Sequence, residues 1–167
     1  MRPLLPVLAC AAFAACATTP PGADESAPFL SLAVIDHPHQ PLDARAKGPM
    51  EVRLDRLDTV HLEAWGKDDQ SGVAATRLRA ELRVVCRQPN GGTLVREVVR
   101  ERDNSERDRP PRRTAAIDVN LGSDLERLCP GGRYDSGEIL ATATAVNGAG
   151  LETRSATLRV ILPDGAS

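Results

Sequence analysis

The chain has 167 residues, enough for one domain that buries most of the surface its unfolded state exposes. Its 21 basic and 23 acidic residues give a formal net charge of −2, so charge predicts neither a nucleic-acid partner nor a highly acidic substrate. Aromatic residues make up 2% of the chain, which disfavours the stacking platforms of carbohydrate-binding modules.

The N-terminus has the layout of an export signal. Arg2 supplies a positive charge, residues 4–15 form an apolar run that ends in two alanines, and Cys16 follows directly. A membrane-spanning helix would need about 20 apolar residues. The pattern resembles the lipobox of bacterial lipoproteins, which implies that residues 1–15 are a signal peptide and that Cys16 is acylated. The alternatives are cleavage before Cys10, which would leave a very short apolar run, and an ordinary secretory signal cut nearby.

A tether is predicted between the anchor and the folded part. Residues 17–28 are rich in proline and small residues and have too little apolar surface to fold. We therefore expect residues 16–28 to form the lipidated cysteine and a flexible tether, which spans about 37 Å when fully extended. Ala17 resembles the residue that follows the cysteine in lipoproteins passed to the outer membrane. The predicted location is the bacterial cell envelope, as an outer-membrane lipoprotein facing the periplasm or the cell surface.

Alternating apolar and polar residues dominate the rest of the chain, which favours strands over helices. The clearest case is residues 77–86, where every second residue from Leu78 to Cys86 is apolar. Strands are predicted at 29–35, 50–55, 59–65, 77–86, 93–100, 114–121, 138–146 and 155–162. One helical turn is predicted at 123–128, with Ser123 or Asp124 as its N-cap. Seven to eight short strands indicate an all-β, two-sheet antiparallel sandwich over residues 29–163, with 164–167 as a tail and a small closed barrel as the alternative.

Residues 102–113 contain five arginines, three acidic residues and two prolines. This composition favours a solvated loop. The alternative is a contact for an anion or a partner, because arginine pairs with carboxylates and phosphates through two parallel hydrogen bonds.

The cysteine count agrees with export. If the leader is removed and Cys16 is lipidated, only Cys86 and Cys129 remain. In an oxidising compartment they are expected to pair, which would stabilise the fold by about 4 kcal/mol. Neither cysteine has the spacing of a zinc site. The alternative is two buried free thiols, as in a cytosolic protein.

Two turn sequences resemble those of bacterial immunoglobulin-like and fibronectin-type-III-like domains. Residues 68–73, DDQSGV, resemble the turn between strands B and C, and residues 147–150 resemble the turn between F and G, where Asn147 replaces the Asp of the family. Tyr134 precedes the predicted strand F, where related sandwiches have a tyrosine corner whose hydroxyl bonds to nearby backbone. The resemblance covers residues 50–163 and implies an immunoglobulin-like sandwich.

Two sets of residues are candidates for ion sites. An immunoglobulin-like topology would bring Asp68, Asp69 and Asn147 to one end of the sandwich, where they would supply part of the six to eight oxygens that calcium needs. The same residue types are also ordinary turn formers. His37 and His39 are two imidazoles one residue apart, and His61 is expected on an outward face beside Glu63. A metal needs three or four converging ligands, so we predict no metal site there.

The sequence contains no nucleophile elbow, no P-loop and no zinc-protease motif. We therefore expect no enzymatic activity and no cofactor. The expected function is that of a lipid-anchored structural or protein-interaction module, bound to the membrane through its anchor and to an envelope protein through an exposed sheet edge. The alternatives are an ion- or ligand-binding periplasmic module and an envelope hydrolase.

Overall fold

The computed structural model describes residues 24–35, 42–43 and 50–165. The predicted signal peptide, Cys16, the first part of the tether, His37 and His39 lie outside the described residues. The elements are β1 (Phe29–Ile35), β2 (Leu42–Asp43), β3 (Met50–Arg53), β4 (Thr59–Lys67), β5 (Val73–Arg87), β6 (Thr93–Ser105), β7 (Arg112–Asn120), α1 (Leu121–Leu128), β8 (Arg133–Asn147), β9 (Glu152–Arg154) and β10 (Leu158–Ile161).

The strands form two packed sheets, which confirms the all-β sandwich. The four-stranded sheet has the order β2-β1-β4-β7, and the six-stranded sheet has the order β3-β10-β8-β5-β6, with β9 paired to β8. The orders β1-β4-β7 and β10-β8-β5-β6 agree with the A-B-E and G-F-C-C′ arrangement of immunoglobulin-like sandwiches. Two details differ from the prediction. The described residues contain ten strands, because β2 and β9 are additional short strands, and β3 pairs with β10 in parallel.

The core lies between the sheets, on the faces that the alternation predicts. On β5, the side chains of Leu78, Leu82 and Cys86 are at most 2% exposed. On β4, Leu62 is fully buried, and Ile139 of β8 packs into the same cluster from the opposite sheet. Burial of one such side chain contributes about 1.5–3 kcal/mol, so this face determines the register of each strand.

The helix begins earlier than predicted. Asn120 is its N-cap, because its side-chain oxygen accepts a hydrogen bond from Ser123 N at 3.1 Å. Leu121, predicted as the last inward residue of a strand, is the first helical residue and remains fully buried. Asp124 is buried in the first turn, where it accepts hydrogen bonds from Arg100 and Arg127.

Both described chain ends are tied to the body. Residues 24–28, predicted as the last part of the tether, are hydrogen-bonded to it: Thr153 Oγ1 donates to Pro28 O at 2.6 Å. At the other end, Leu162 N donates to Gly137 O at 3.0 Å and Gly165 N to Asp135 O at 2.7 Å. The backbone therefore continues along β8 beyond the last strand, into the segment predicted as a tail.

Candidate interaction surface and the two ends of the sandwich

One end of the sandwich is closed by a buried network around Asn147, which we call the polar end. Asn147 is 1% exposed, and its register partner across the sheet is Val73. Its Nδ2 donates to Asp24 Oδ2 at 3.0 Å and to Asp68 Oδ2 at 3.1 Å. It also donates to Ser26 O at 3.0 Å. One amide thus joins two carboxylates that are themselves buried.

The orientation of this amide follows from its oxygen. Asn147 Oδ1 accepts from Ala149 N at 3.1 Å and from Leu151 N at 2.8 Å, so the nitrogen must face the carboxylates. A donor group therefore lies between Asp24 and Asp68, where a cation would have to sit. Within the described residues, no group of three or more His, Cys, Asp or Glu side chains could hold a metal ion.

The structure brings together two of the three predicted ion ligands. Asp68 joins the network, and its Oδ1 accepts from Gln70 N and Ser71 N at 2.9 and 2.8 Å, which is the turn-forming role of this residue type. Asp69 lies outside it, exposed and paired with Lys67 Nζ at 2.8 Å. The third member is instead Asp24, which sequence reasoning placed in the tether.

Asp24 is held by short-range and long-range hydrogen bonds. Ser71 Oγ donates to its Oδ2 at 2.7 Å, and Ser26 N donates to its Oδ1 at 3.0 Å. Because these bonds favour the charged form, above all the one from Ser71, the pKa of Asp24 is lowered from its ordinary value of 3.8. Asp24 and Asn147 are 123 residues apart in the chain, so no local pattern links them.

The run 102–113 is largely not the solvated loop that its composition favours. Its first four residues extend β6, its last two begin β7, and only 106–111 connect the strands. Arg113 is buried: its Nε donates to Val73 O at 3.2 Å, its Nη1 to Asn104 Oδ1 at 3.1 Å and its Nη2 to Asp108 O. A guanidinium with its donors used in this way closes the loop against the body.

At the polar end, the backbone of the turn before β5 packs closely against the 106–111 loop. Asp68 N donates to Pro111 O and Val73 N to Pro110 O, both at 2.8 Å. Gly72 has a φ of +71°, and a Cβ built on it would lie 2.1 Å from Arg109 O. Glycine is therefore required in this turn both for its conformation and for the close approach of the 106–111 loop.

The opposite end is closed covalently, and we call it the disulfide end. Cys86 and Cys129 are bonded, with their Cα atoms 5.5 Å apart, which confirms the predicted pair. Cys129 is the C-cap of α1, so the bond ties this helix to β5 and does not join two strands. Nearby, Tyr134 Oη donates to Pro163 O at 2.9 Å. The hydroxyl bonds to backbone as predicted, but to the C-terminal segment. The pKa of Tyr134 is raised to about 12. Burial is the main cause, and the negative charges of Asp164 and Asp135 add to it.

The outer face of the four-stranded sheet carries a small aromatic cluster. The rings of Phe29 and Trp65 lie 5.2 Å apart, and the guanidinium of Arg112 lies 4.3 Å from the Trp65 ring. His61 shares this face, and its Nδ1 lies 2.7 Å from Asp118 Oδ1. His61 is therefore paired with Asp118 of the neighbouring strand β7.

The sheet edges differ in length and in cover. β2 and β3 are short, with two and four residues. β7 has nine residues, but side chains of β6 bond to its backbone: Asn104 Nδ2 donates to Thr114 O at 2.6 Å and Arg100 Nη1 to Asp118 O at 2.7 Å. β6 has 13 residues and ends the strand order of its sheet, so one of its edges is unpaired by any strand in the described part of the chain.

Apolar side chains are exposed on this same strand. Among the described residues, four large hydrophobic side chains are exposed, and three of them lie on β6: Leu94, Val95 and Val99. Val95 is 65% exposed. Natural sheets normally shorten, charge or cover such an edge, because unpaired backbone groups beside apolar side chains attract other strands. We call this edge, from Leu94 to Arg102, the β6 edge.

No family model and no curated protein sequence matches the chain. Among solved structures, it is similar to AggA, the major subunit of aggregative adherence fimbriae type I from Escherichia coli. The two share 14% sequence identity over 80% of this chain and 94% of that one, with a TM-score of 0.32. In the described residues, no helix combines the length and the apolar character needed to span a membrane. The assignment as an all-β sandwich follows from the two packed sheets themselves.

Proposed function

We propose that this chain is a non-enzymatic, lipid-anchored domain of the bacterial envelope that binds an extended segment of a partner protein at the β6 edge. The lipid on Cys16 would hold it at the outer membrane, and the residues before Asp24 would let the domain reach its partner. The leader pattern and the Cys86–Cys129 bond support export, because disulfides persist in oxidising compartments.

The main support for the binding proposal is that β6 pairs with another described strand on one side only. Its 13 residues pair with β5 on one side only, and most of the exposed large hydrophobic side chains of the described residues lie on it. An extended segment added here would satisfy the free backbone groups and cover Val95 and Val99 in the same step. The edge strands β2 and β3 are shorter, with two and four residues, and side chains of β6 bond to the backbone of β7.

Site-specific photo-crosslinking in intact cells tests the binding proposal. A photoreactive residue at Val95 or Val99 is compared with one at Arg53 on β3, which is also exposed but lies at the other edge of the same sheet. We expect both β6 positions, and not the control, to capture the same peptide of one partner, identified by mass spectrometry. Equal capture from all three positions, or none from β6, would refute the proposal.

The anchor is tested separately. The intact mass of protein extracted from membranes should correspond to residues 16–167 plus acyl chains. A Cys16→Ser variant should leave the membrane fraction. A mass without lipid would show that the chain is a free exported domain, and it would leave the binding proposal standing.

A further inference from the structure

The two faces of the β6 edge differ in how their charges are neutralised. Register with β5 places Arg96, Arg100 and Arg102 on the core-side face, since they lie opposite Val84, Ala80 and Leu78. Arg100 is already bonded within the domain: its Nη2 donates to Asp124 Oδ1 at 2.7 Å and its Nη1 to Asp118 O at 2.7 Å. Arg96 and Arg102 are exposed and form no ion pair or side-chain hydrogen bond with any described residue.

The outward face of the same strand carries acids that β5 already neutralises. Arg79 Nη1 donates to Glu101 at 2.7 Å, and Arg77 Nε donates to Asp103 at 2.8 Å. Glu97 lies 3.9 Å from Arg83. Val99 is exposed between Glu97 and Glu101, and Val95 is exposed on the other side of Glu97. The edge therefore presents free positive charge on one face and apolar surface on the other.

Two symmetric pairings of the β6 edge with a second copy of the chain would place like charges opposite each other. In a symmetric antiparallel pair within one continuous sheet, opposite residues share a face. A two-fold axis at Val98 would place Arg96 opposite Arg100 of the other copy, and an axis at Val99 would place Glu97 opposite Glu101. Like charges directly opposite each other are destabilising across strands.

We infer that the segment bound at the β6 edge is a strand with acidic residues on one face and β-branched residues on the other. Its carboxylates pair with Arg96 and Arg102, and its apolar face covers Val95 and Val99. Successive residues of a strand point to opposite faces, so the sequence signature of the partner is alternation of acidic and β-branched residues. This inference rests on the proposed function and adds the chemistry of the partner to it.

Synthetic peptides test the inference on the full chain purified from membranes. One peptide alternates glutamate and valine over about nine residues, which spans the edge at about 3.4 Å per residue, and its counterpart alternates lysine and valine. We expect the acidic peptide to bind about tenfold more tightly in fluorescence anisotropy, because two favourable cross-strand pairs become two repulsive ones in the basic peptide. The Arg96→Glu/Arg102→Glu variant should invert this preference.

Two controls isolate the cause. The Arg53→Glu/Arg154→Glu variant makes the same change in net charge on exposed side chains of β3 and β9, and it should keep the wild-type preference. All variants should retain the wild-type thermal midpoint, since the four side chains are exposed. In addition, acidic peptides N-methylated at alternate residues distinguish strand addition from side-chain attraction. Methylation of the amides facing β6 should abolish binding, and methylation of the other set should not.

Each outcome decides the inference. Equal binding of the two peptides, binding of neither, or indifference to the position of N-methylation would overturn it. If β6 crosslinks still captured one partner peptide in cells, the proposed function would stand with a partner of different chemistry. If photoreactive residues on β6 also captured no partner peptide, both the proposed function and the inference would be refuted.

Discussion

The two ends of this sandwich are closed by different chemistry. At the disulfide end, one covalent bond links Cys86 of β5 to the end of α1, across a separation of 43 residues. At the polar end, Asn147 holds Asp24 and Asp68 by hydrogen bonds alone, across separations of 123 and 79 residues. Both ends belong to the same two strands, since β5 and β8 run from one to the other.

This difference shows two ways of keeping distant segments in place. A disulfide acts mainly by restricting the unfolded chain, and it does not depend on protonation. A buried polar network is stable only while every donor and acceptor is matched, so removal of one member leaves the others unsatisfied. The disulfide end should therefore be sensitive to redox conditions, and the polar end to single substitutions and to pH.

Loss of the disulfide is expected to have the largest effect. The Cys86→Ala/Cys129→Ala variant should lose about 4 kcal/mol of unfolding free energy, because the loop of 43 residues is no longer closed in the unfolded chain. Urea unfolding measures this loss of free energy. Wild-type protein under reducing conditions should show the same loss as the variant. Amide exchange at Ala149 and Leu151 should stay slow in the folded variant, since the polar end is closed independently. An unchanged unfolding free energy would show that the disulfide does not stabilise the fold.

Substitution of Asn147 is expected to be nearly as damaging. Asn147→Ala should cost about 3 kcal/mol, because Asp24 and Asp68 lose the donor that they share in a buried site. Asn90→Ala is the matched control: Asn90 is an exposed turn residue whose side chain accepts one hydrogen bond, from Gly92 N. Its cost should be below about 1 kcal/mol. If both substitutions lowered the unfolding free energy by similar amounts, the buried network would stabilise the fold no more than an exposed turn does.

Substitution of Tyr134 is expected to destabilise the disulfide end less than loss of the disulfide does. Tyr134→Phe should cost about 1 kcal/mol, the value of one hydrogen bond. Because the pKa of Tyr134 is raised to about 12, its contribution should be complete below its ordinary pKa of 10 and should disappear as the pH rises through about 12. Tyr134 is the only tyrosine in the chain, so the ultraviolet absorbance of phenolate reports its titration directly. A midpoint near 10 in the native protein would mean that the hydroxyl is not held as described.

The stabilisation that Asp24 gives to the polar end should depend on pH. Its pKa is lowered from 3.8, so its contribution should be present above that value and be lost as the pH falls through the lower value of the folded state. The Asp24→Asn variant should have a lower thermal midpoint than the wild type near neutral pH. The difference between the two proteins should shrink on acidification. A constant difference across the acidic range would exclude a charged Asp24 as the source of the stabilisation.

Calcium should have the smallest effect. Since an amide nitrogen lies between the two carboxylates, addition of calcium is expected to leave the thermal midpoint unchanged. A clear rise that disappears in Asp68→Asn would instead support the ion-binding alternative.

Much of the sandwich could be predicted because burial leaves a local record in the sequence. The alternation from Leu78 to Cys86 predicted both the strand and its inward face, although β5 begins at Val73, four residues before the predicted start. The longer extent of β6 was missed because its second half is charged on both faces, and charge alone resembles a loop. Its residues form a strand since Arg77 and Arg79 of β5 pair with Asp103 and Glu101 across the ladder.

The polar end could be predicted only in part. Asp68 and Asn147 were recognised because each is a turn former at a position that the topology brings to one end. Asp24 was assigned to a tether, since its neighbours are proline and small residues and its partners are far away in the chain. Arg113 was assigned to a solvated loop, because its burial depends on acceptors supplied by Val73 and Asn104.

The sequence by itself determined the class of fold, the inward faces of the main strands and the two cysteines available to pair, because periodic burial and residue chemistry are local properties. Only the tertiary structure decided which long strand has an unpaired edge, which arginines have no partner among the described residues, and that Asn147 lies between two carboxylates. These properties depend on contacts between segments distant in the chain, and contacts of that kind arise only when the two sheets pack.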